Sequence, residues 1–84
     1  MQDKQLIKKI GDEVEVLCGM IGYKRLTKLA VTVNYKSHVN ETNLLKYLQH
    51  KDKKVFGAWT QLQVSLDDIQ EKTAIIHNIE GEKI

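Results

Sequence analysis

Contact with phosphate takes cations spaced along a surface, and the cations of this chain gather in its middle. Between residues 23 and 54, Lys24, Arg25, Lys28, Lys36, Lys46, Lys51, Lys53 and Lys54 stand against Glu41 and Asp52 alone, a net charge of +6. The flanks are acidic. Residues 1–22 sum to −1 and residues 55–84 to −3, so the total of +2 conceals the segregation. These eight basic residues are the expected nucleic-acid-binding set. Tyr23, Tyr35 and Tyr47 fall inside the same block, with His38 and His50. Single-stranded bases stack on exposed aromatic faces, which makes Tyr23 and Tyr47 stacking candidates. Tyr35 shares a strand face with Val31 and Val33 and is expected in the core. The competing reading has the lysines solvating a polar face and the tyrosines closing the core with their hydroxyls at the rim.

The basic residues are 12 Lys and one Arg. Lysine makes point-charge contacts to phosphate, whereas base edges are usually read by the arginine fork. An AT-rich genome, which favours lysine codons, accounts for the same bias.

Other chemistry finds less support. Cys18, His38, His50 and His77 are the soft and imidazole ligands, and none is paired at the two-to-four-residue spacing that zinc sites use. Neither a metal nor another cofactor is expected. Cys18 lies in an apolar run, where a thiol stays protonated and inert, so a Cys–His catalytic pair has no local support. Asp67 and Asp68 are explained by capping a helix start. No catalytic residue is assigned, and an enzyme is the least expected class. Gly19-Met20-Ile21-Gly22, followed by Tyr23-Lys24-Arg25, resembles the Gly-x-x-Gly loop with which KH domains clamp a nucleic-acid backbone. In those domains the loop joins two helices. Here the flanking patterns are strands, and the P-loop and dinucleotide-binding patterns are absent.

The elements that must position these residues follow from apolar spacing. Asp3 can cap a short helix with Leu6, Ile7 and Ile10 on one face and Gly11 as its stop. Glu13-Val14-Glu15-Val16 alternates as a strand. Leu6, Ile10, Val14, Leu17, Cys18 and Ile21 also fit one helical face, but Gly11 and Gly19 within it would each cost about 1 kcal/mol. The strand reading is therefore preferred, with Gly19 and Gly22 as bend residues. From Lys28 to Lys36, Leu29, Val31, Val33 and Tyr35 alternate with Ala30, Thr32 and Asn34, the pattern of a half-buried strand. Asn40 can cap a helix beginning at Glu41, with Leu44, Leu45 and Leu48 as its stripe and His50, Lys51, Lys53 and Lys54 at or beyond its end. Phe56 to Trp59 is a connection.

The last third reads as a strand over 60–66, then a helix from Asp67-x-x-Gln70 to a stop at Gly81. Val55, Trp59, Leu62, Leu66, Ile69, Thr73 and Ile76 also keep an unbroken 4-3 spacing, as in one long coiled-coil helix. That alternative makes the chain all-α.

The expectation is one domain over residues 1–84, of α+β class. A small antiparallel sheet of about three strands packs on two or three helices, in the order helix, strand, strand, helix, strand, helix. A lone cysteine makes no intrachain disulfide and fits the reducing cytoplasm. No run of 18 apolar residues occurs and the N-terminus is polar, so neither a membrane span nor a signal peptide is expected. The expected function is a small nucleic-acid-binding accessory or regulatory protein, with RNA or single strands favoured. The alternative is a protein-interaction module, such as an inhibitor, immunity factor or oligomerising adaptor that faces an acidic protein. The stripe from Val55 to Ile76 also predicts a homodimer.

Overall fold

The computed structural model describes residues 4–83. Its elements are α1 (Lys4–Ile21), β1 (Tyr23–Asn34), α2 (Glu41–Lys51), β2 (Gln61–Asp67) and β3 (Ala74–Lys83). The α+β class is borne out. The strands form one sheet in the order β2-β1-β3. It is mixed rather than antiparallel: β1 runs parallel to β2 and antiparallel to β3. The parallel pair requires a crossover, and α2 supplies it.

The strand expected over Glu13–Val16 and the helix stop expected at Gly11 are both corrected by α1, which runs through them. Leu6, Ile10, Val14 and Cys18 recur every four residues and are all buried. Gly11 is buried among them because the Tyr47 ring lies against it. A methyl at Gly11 would fall 2.5 Å from that ring. The propensity cost of glycine is offset by the close approach of the two helices. Gly19 is helical too, so only Gly22 bends the chain. Gly22 has φ +89° and its N–H donates to the Cys18 carbonyl at 3.0 Å, a left-handed helix stop that favours glycine. The cap expected of Asp3 lies outside the described residues.

β1 is longer than the 28–36 reading and starts at Tyr23. Leu26, Leu29, Val31 and Val33 are all buried. Leu26 and Leu29, three apart, cannot share a face of a regular strand. A register shift between Leu26 and Lys28 adds the residue that lets both point inward. Tyr35 is not in the core as expected: it lies beyond the strand end and is 54% exposed.

α2 begins as its sequence indicates. Asn40 caps it, and the Asn40 and Asn43 side chains each accept from the other's backbone N–H at 2.9 Å. Leu44 and Leu48 are fully buried, each worth about 1.5–3 kcal/mol. Residues 52–60 then run beside the start of β1. The Leu26 N–H donates to the Val55 carbonyl at 2.9 Å, and the buried Thr60 hydroxyl donates to the Leu26 carbonyl at 2.7 Å.

β2 matches the expected strand. The helix expected over Asp67–Glu80 and the long helix through 55–76 are both absent. Residues 68–73 form a connection, and β3 extends through Gly81, the expected stop. Asp67 does not cap a helix; its carboxylate accepts from the Asp68 N–H at 2.7 Å. The seam that predicted a homodimer is thus divided among a loop, two strands and a turn.

Leu29, Val31 and Val33 face the helices and pack with Leu6, Ile10, Val14, Leu44, Leu48 and Phe56. Register places Leu62, Val64 and Ile76 on the same face. The other face carries Lys28, Thr32, Gln61, Gln63, Ser65 and His77, with Thr32 Oγ1 and His77 Nε2 only 2.5 Å apart.

Candidate nucleic-acid interface

The fold brings the acidic flanks onto the basic middle. Lys51 is the clearest case. Its ammonium lies 2.7 Å from an Asp12 oxygen and 3.6 Å from Glu15, and its side chain is only 22% exposed. Asp12 also accepts from Lys8 at 2.7 Å. The hydrogen bond from Lys51, then that from Lys8, holds the Asp12 carboxyl below the usual aspartate range. The hydrogen bond to Asp12 raises Lys51 in turn. Lys51 therefore fastens the end of α2 to α1. Lys36 lies 3.7 Å from Glu71 and tethers the connection before β3.

Lys46 stands apart from both. It borders a groove between α1 and α2 of about 320 Å³, with Lys4, Ile7, Asn43, Tyr47 and His50. Lys28 is exposed on the open sheet face. Among the described residues, Lys24, Lys28, Lys46, Lys53 and Lys54 make no ion pair.

Four of the eight predicted basic residues lie on two segments that the fold sets side by side. The bond between Leu26 N–H and the Val55 carbonyl sets Lys53-Lys54 beside Lys24-Arg25 at one end of the sheet. Asp52 is turned into its own loop, where one carboxylate oxygen accepts from the Lys54 and Val55 N–H groups at 2.8 and 3.3 Å. Lys24, Arg25, Lys53 and Lys54 are all exposed. Arg25 has a loose partner in Glu82, at 4.0 Å.

The indole at this end is that of Trp59, in the connection between α2 and β2. Its Nε1–H donates to the Val55 carbonyl at 3.2 Å. Its ring lies against Gly57, where a methyl would fall 2.5 Å from it, and the Arg25 guanidinium sits 4.7 Å from a ring centroid. The indole remains 38% exposed. The signal was its place five residues after Lys54, with a glycine two residues before it to make room. Tyr23 and Tyr47 are placed otherwise. Tyr23 is half-buried against Gly81 and donates to the Ile79 carbonyl at 3.4 Å, while Tyr47 is half-buried against Gly11. The likeness to a Gly-x-x-Gly loop also lapses, since Gly19 to Ile21 are helical.

Cys18 is buried and faces a cleft of about 200 Å³ shared with Glu15, Tyr23 and Asp52. Burial first, and the Glu15 charge second, push its thiol up to about 11. It stays protonated at neutral pH and is a poor nucleophile. Among the described residues, no group of three His, Cys, Asp or Glu side chains could hold a metal ion. Among the same residues, no helix is long and apolar enough to cross a membrane.

Comparison with protein families, with curated proteins and with solved structures gave no match.

Proposed function

We propose that this protein is a small nucleic-acid-binding accessory or regulatory factor of the cytoplasm, not an enzyme, which holds RNA or single strands at the end marked by Lys24, Arg25, Lys53, Lys54 and Trp59. One observation carries this reading: the Leu26–Val55 backbone bond joins two lysine-rich segments, far apart in sequence, around a half-exposed indole. Cations that track phosphates beside an aromatic platform are the general means of binding single strands. Lys28, farther along β1, extends the charge onto the open sheet face.

Two measurements test it. Purified protein should carry nucleic acid, seen as a raised 260/280 absorbance ratio that salt removes. Affinity for a labelled single strand should fall steeply as salt rises, because bound cations release counterions from the phosphates. Affinity that stays flat between low and physiological salt would rule the mechanism out.

The second reading is a protein-interaction module that presents the same end to an acidic protein. The contact between Arg25 and Glu82 favours it, since a carboxylate already rests at that site. Changing Lys24, Arg25, Lys53 and Lys54 together to Ala separates the two. A folded variant that binds nucleic acid like its parent would leave the protein partner as the surviving reading.

A further inference from the structure

The two edges of the sheet are unlike. β3 carries its own deterrents to further pairing. Its register with β1 shifts at three places, and Glu80, Glu82 and Lys83 stand along it. Bulges and charges are the usual guards of an exposed edge. β2 has neither along its body. Its register is unbroken from Lys28↔Gln61 to Asn34↔Asp67, and its one charged residue is Asp67, at the end.

The direction of the β2 backbone groups follows from two hydrogen bonds. The Asp67 carbonyl accepts from the Tyr35 N–H at 2.9 Å and so points toward β1. By alternation, the N–H and C=O groups of Leu62, Val64 and Leu66 point away from β1, outward from the sheet. Among the described residues, one of these outward groups has a partner. The Val64 N–H donates to the Glu41 carboxylate at 2.8 Å. Glu41 opens α2, so the N-terminus of that helix reaches over the middle of the edge.

The sequence of β2 is complementary to itself about Val64. In an antiparallel copy, Val64 lies opposite Val64, Leu62 opposite Leu66, Gln63 opposite Ser65 and Gln61 opposite Asp67. No like charges meet. Leu66 is 56% exposed in the single chain and would face Leu62 of the second copy. The outward groups of Leu62, Val64 and Leu66 then stand as closely bonded pairs. The arrangement has a two-fold axis and closes on itself. The Val64 N–H has two acceptors to choose between, Glu41 of its own chain and the Val64 carbonyl of the other.

We propose that β2 is the edge through which two copies of this chain join, antiparallel about Val64, and that Glu41 weakens the union by holding the Val64 N–H. This surface shares no residue with the basic end, so it stands or falls apart from nucleic-acid binding.

Sedimentation equilibrium of the full chain over a wide concentration range tests it. Glu41→Ala removes the competing acceptor, and the dimer dissociation constant should fall by about tenfold or more, as expected when a charged hydrogen bond is released from competition. Gln63→Lys with Ser65→Lys sets lysines opposite one another on both sides of the axis. Both positions are exposed, so the fold should persist, as circular dichroism will verify, while self-association is lost. A folded Glu41→Ala chain that sediments as a single chain at every concentration overturns the proposal. So does a dimer that survives the two lysines, or a series of higher species in place of a closed pair.

Discussion

Lys51 and Lys53 are two residues apart and have opposite fates. Lys51 closes the last turn of α2, three-quarters buried, between Asp12 and Glu15. Lys53 follows the turn at Asp52 and stands in solvent beside Lys54, Lys24 and Arg25. The first contributes to the fold, and the second is free to meet a partner. Apart from Lys28 and Lys46, the basic block of the sequence is thus two populations. One, with Lys36, neutralises the acidic flanks. The other gathers where no acidic segment reaches except at Glu82. Segregation along a chain is therefore not segregation on a surface.

The largest effect should come from the free group. Replacing Lys24, Arg25, Lys53 and Lys54 with Ala should lower affinity for single-stranded RNA by more than about tenfold at low salt, and reduce the salt slope by roughly 1 per lost phosphate contact. Lys36→Ala should leave that slope unchanged. Fluorescence anisotropy reads both, and equal effects would erase the distinction between the two groups.

The paired group depends on the contact between α1 and α2. Gly11→Val pushes a branched side chain into the Tyr47 ring and should cost about 1–3 kcal/mol in urea unfolding, with nucleic-acid binding by the folded fraction unchanged. A variant as stable as its parent would mean that the helices do not need their close approach.

Trp59→Ala should lose roughly 1–3 kcal/mol of single-strand affinity, the worth of one stacked base, without changing the salt slope. In the parent, indole fluorescence should be quenched on binding. A loss of slope instead would assign Trp59 to positioning Arg25 rather than to stacking.

The smallest effect concerns Asp12. Its carboxyl is held below the ordinary 3.8, so the ionised form favours the fold. That contribution is present above 3.8 and is lost as pH falls through the lowered value. The stability gap between parent and Asp12→Asn should be constant near neutrality and close in acid. Urea midpoints across the acid range measure it, and a gap that persists undiminished would show that the pairing is not its cause. Lys51 is raised above 10.5, so its share is present below 10.5 and fades at higher pH.

Much of the fold was legible. Val31 and Val33 alternate as a strand should, and Asn40 marks the start of α2. Leu62, Val64 and Leu66 mark β2. Two elements differ from their sequence patterns for one physical reason: a short local signal imitates the start or stop of another element. Over 67–81 the Asp67-x-x-Gln70 pattern and the 4-3 spacing of Ile69, Thr73 and Ile76 imitate a helix, yet Ile69 and Thr73 fall in the connection and Ile76 in β3. In α1, Gly11 mimics a stop and Gly19 a bend, and only the Tyr47 ring, from a distant element, reveals why Gly11 belongs inside. The site was legible as a list of cations. Which of them are free was not, because Asp12, Glu15 and Glu71 reach Lys51 and Lys36 only through tertiary contacts. Trp59 was passed over because its neighbours in sequence are not its neighbours in space.

The central place of β1 bears on how the chain acquires its shape. Tyr23, at the start of this strand, is matched with Lys83, 60 residues farther along the chain. Loop closure over such a span precedes any reward from the contact, so β1 and β3 should meet late and slowly. A folding chain can join its helices, β1 and β2, yet it must carry β1 with one side unmatched until β3 docks. During that interval, β1 is the segment most open to capture by a chaperone or by a neighbouring chain.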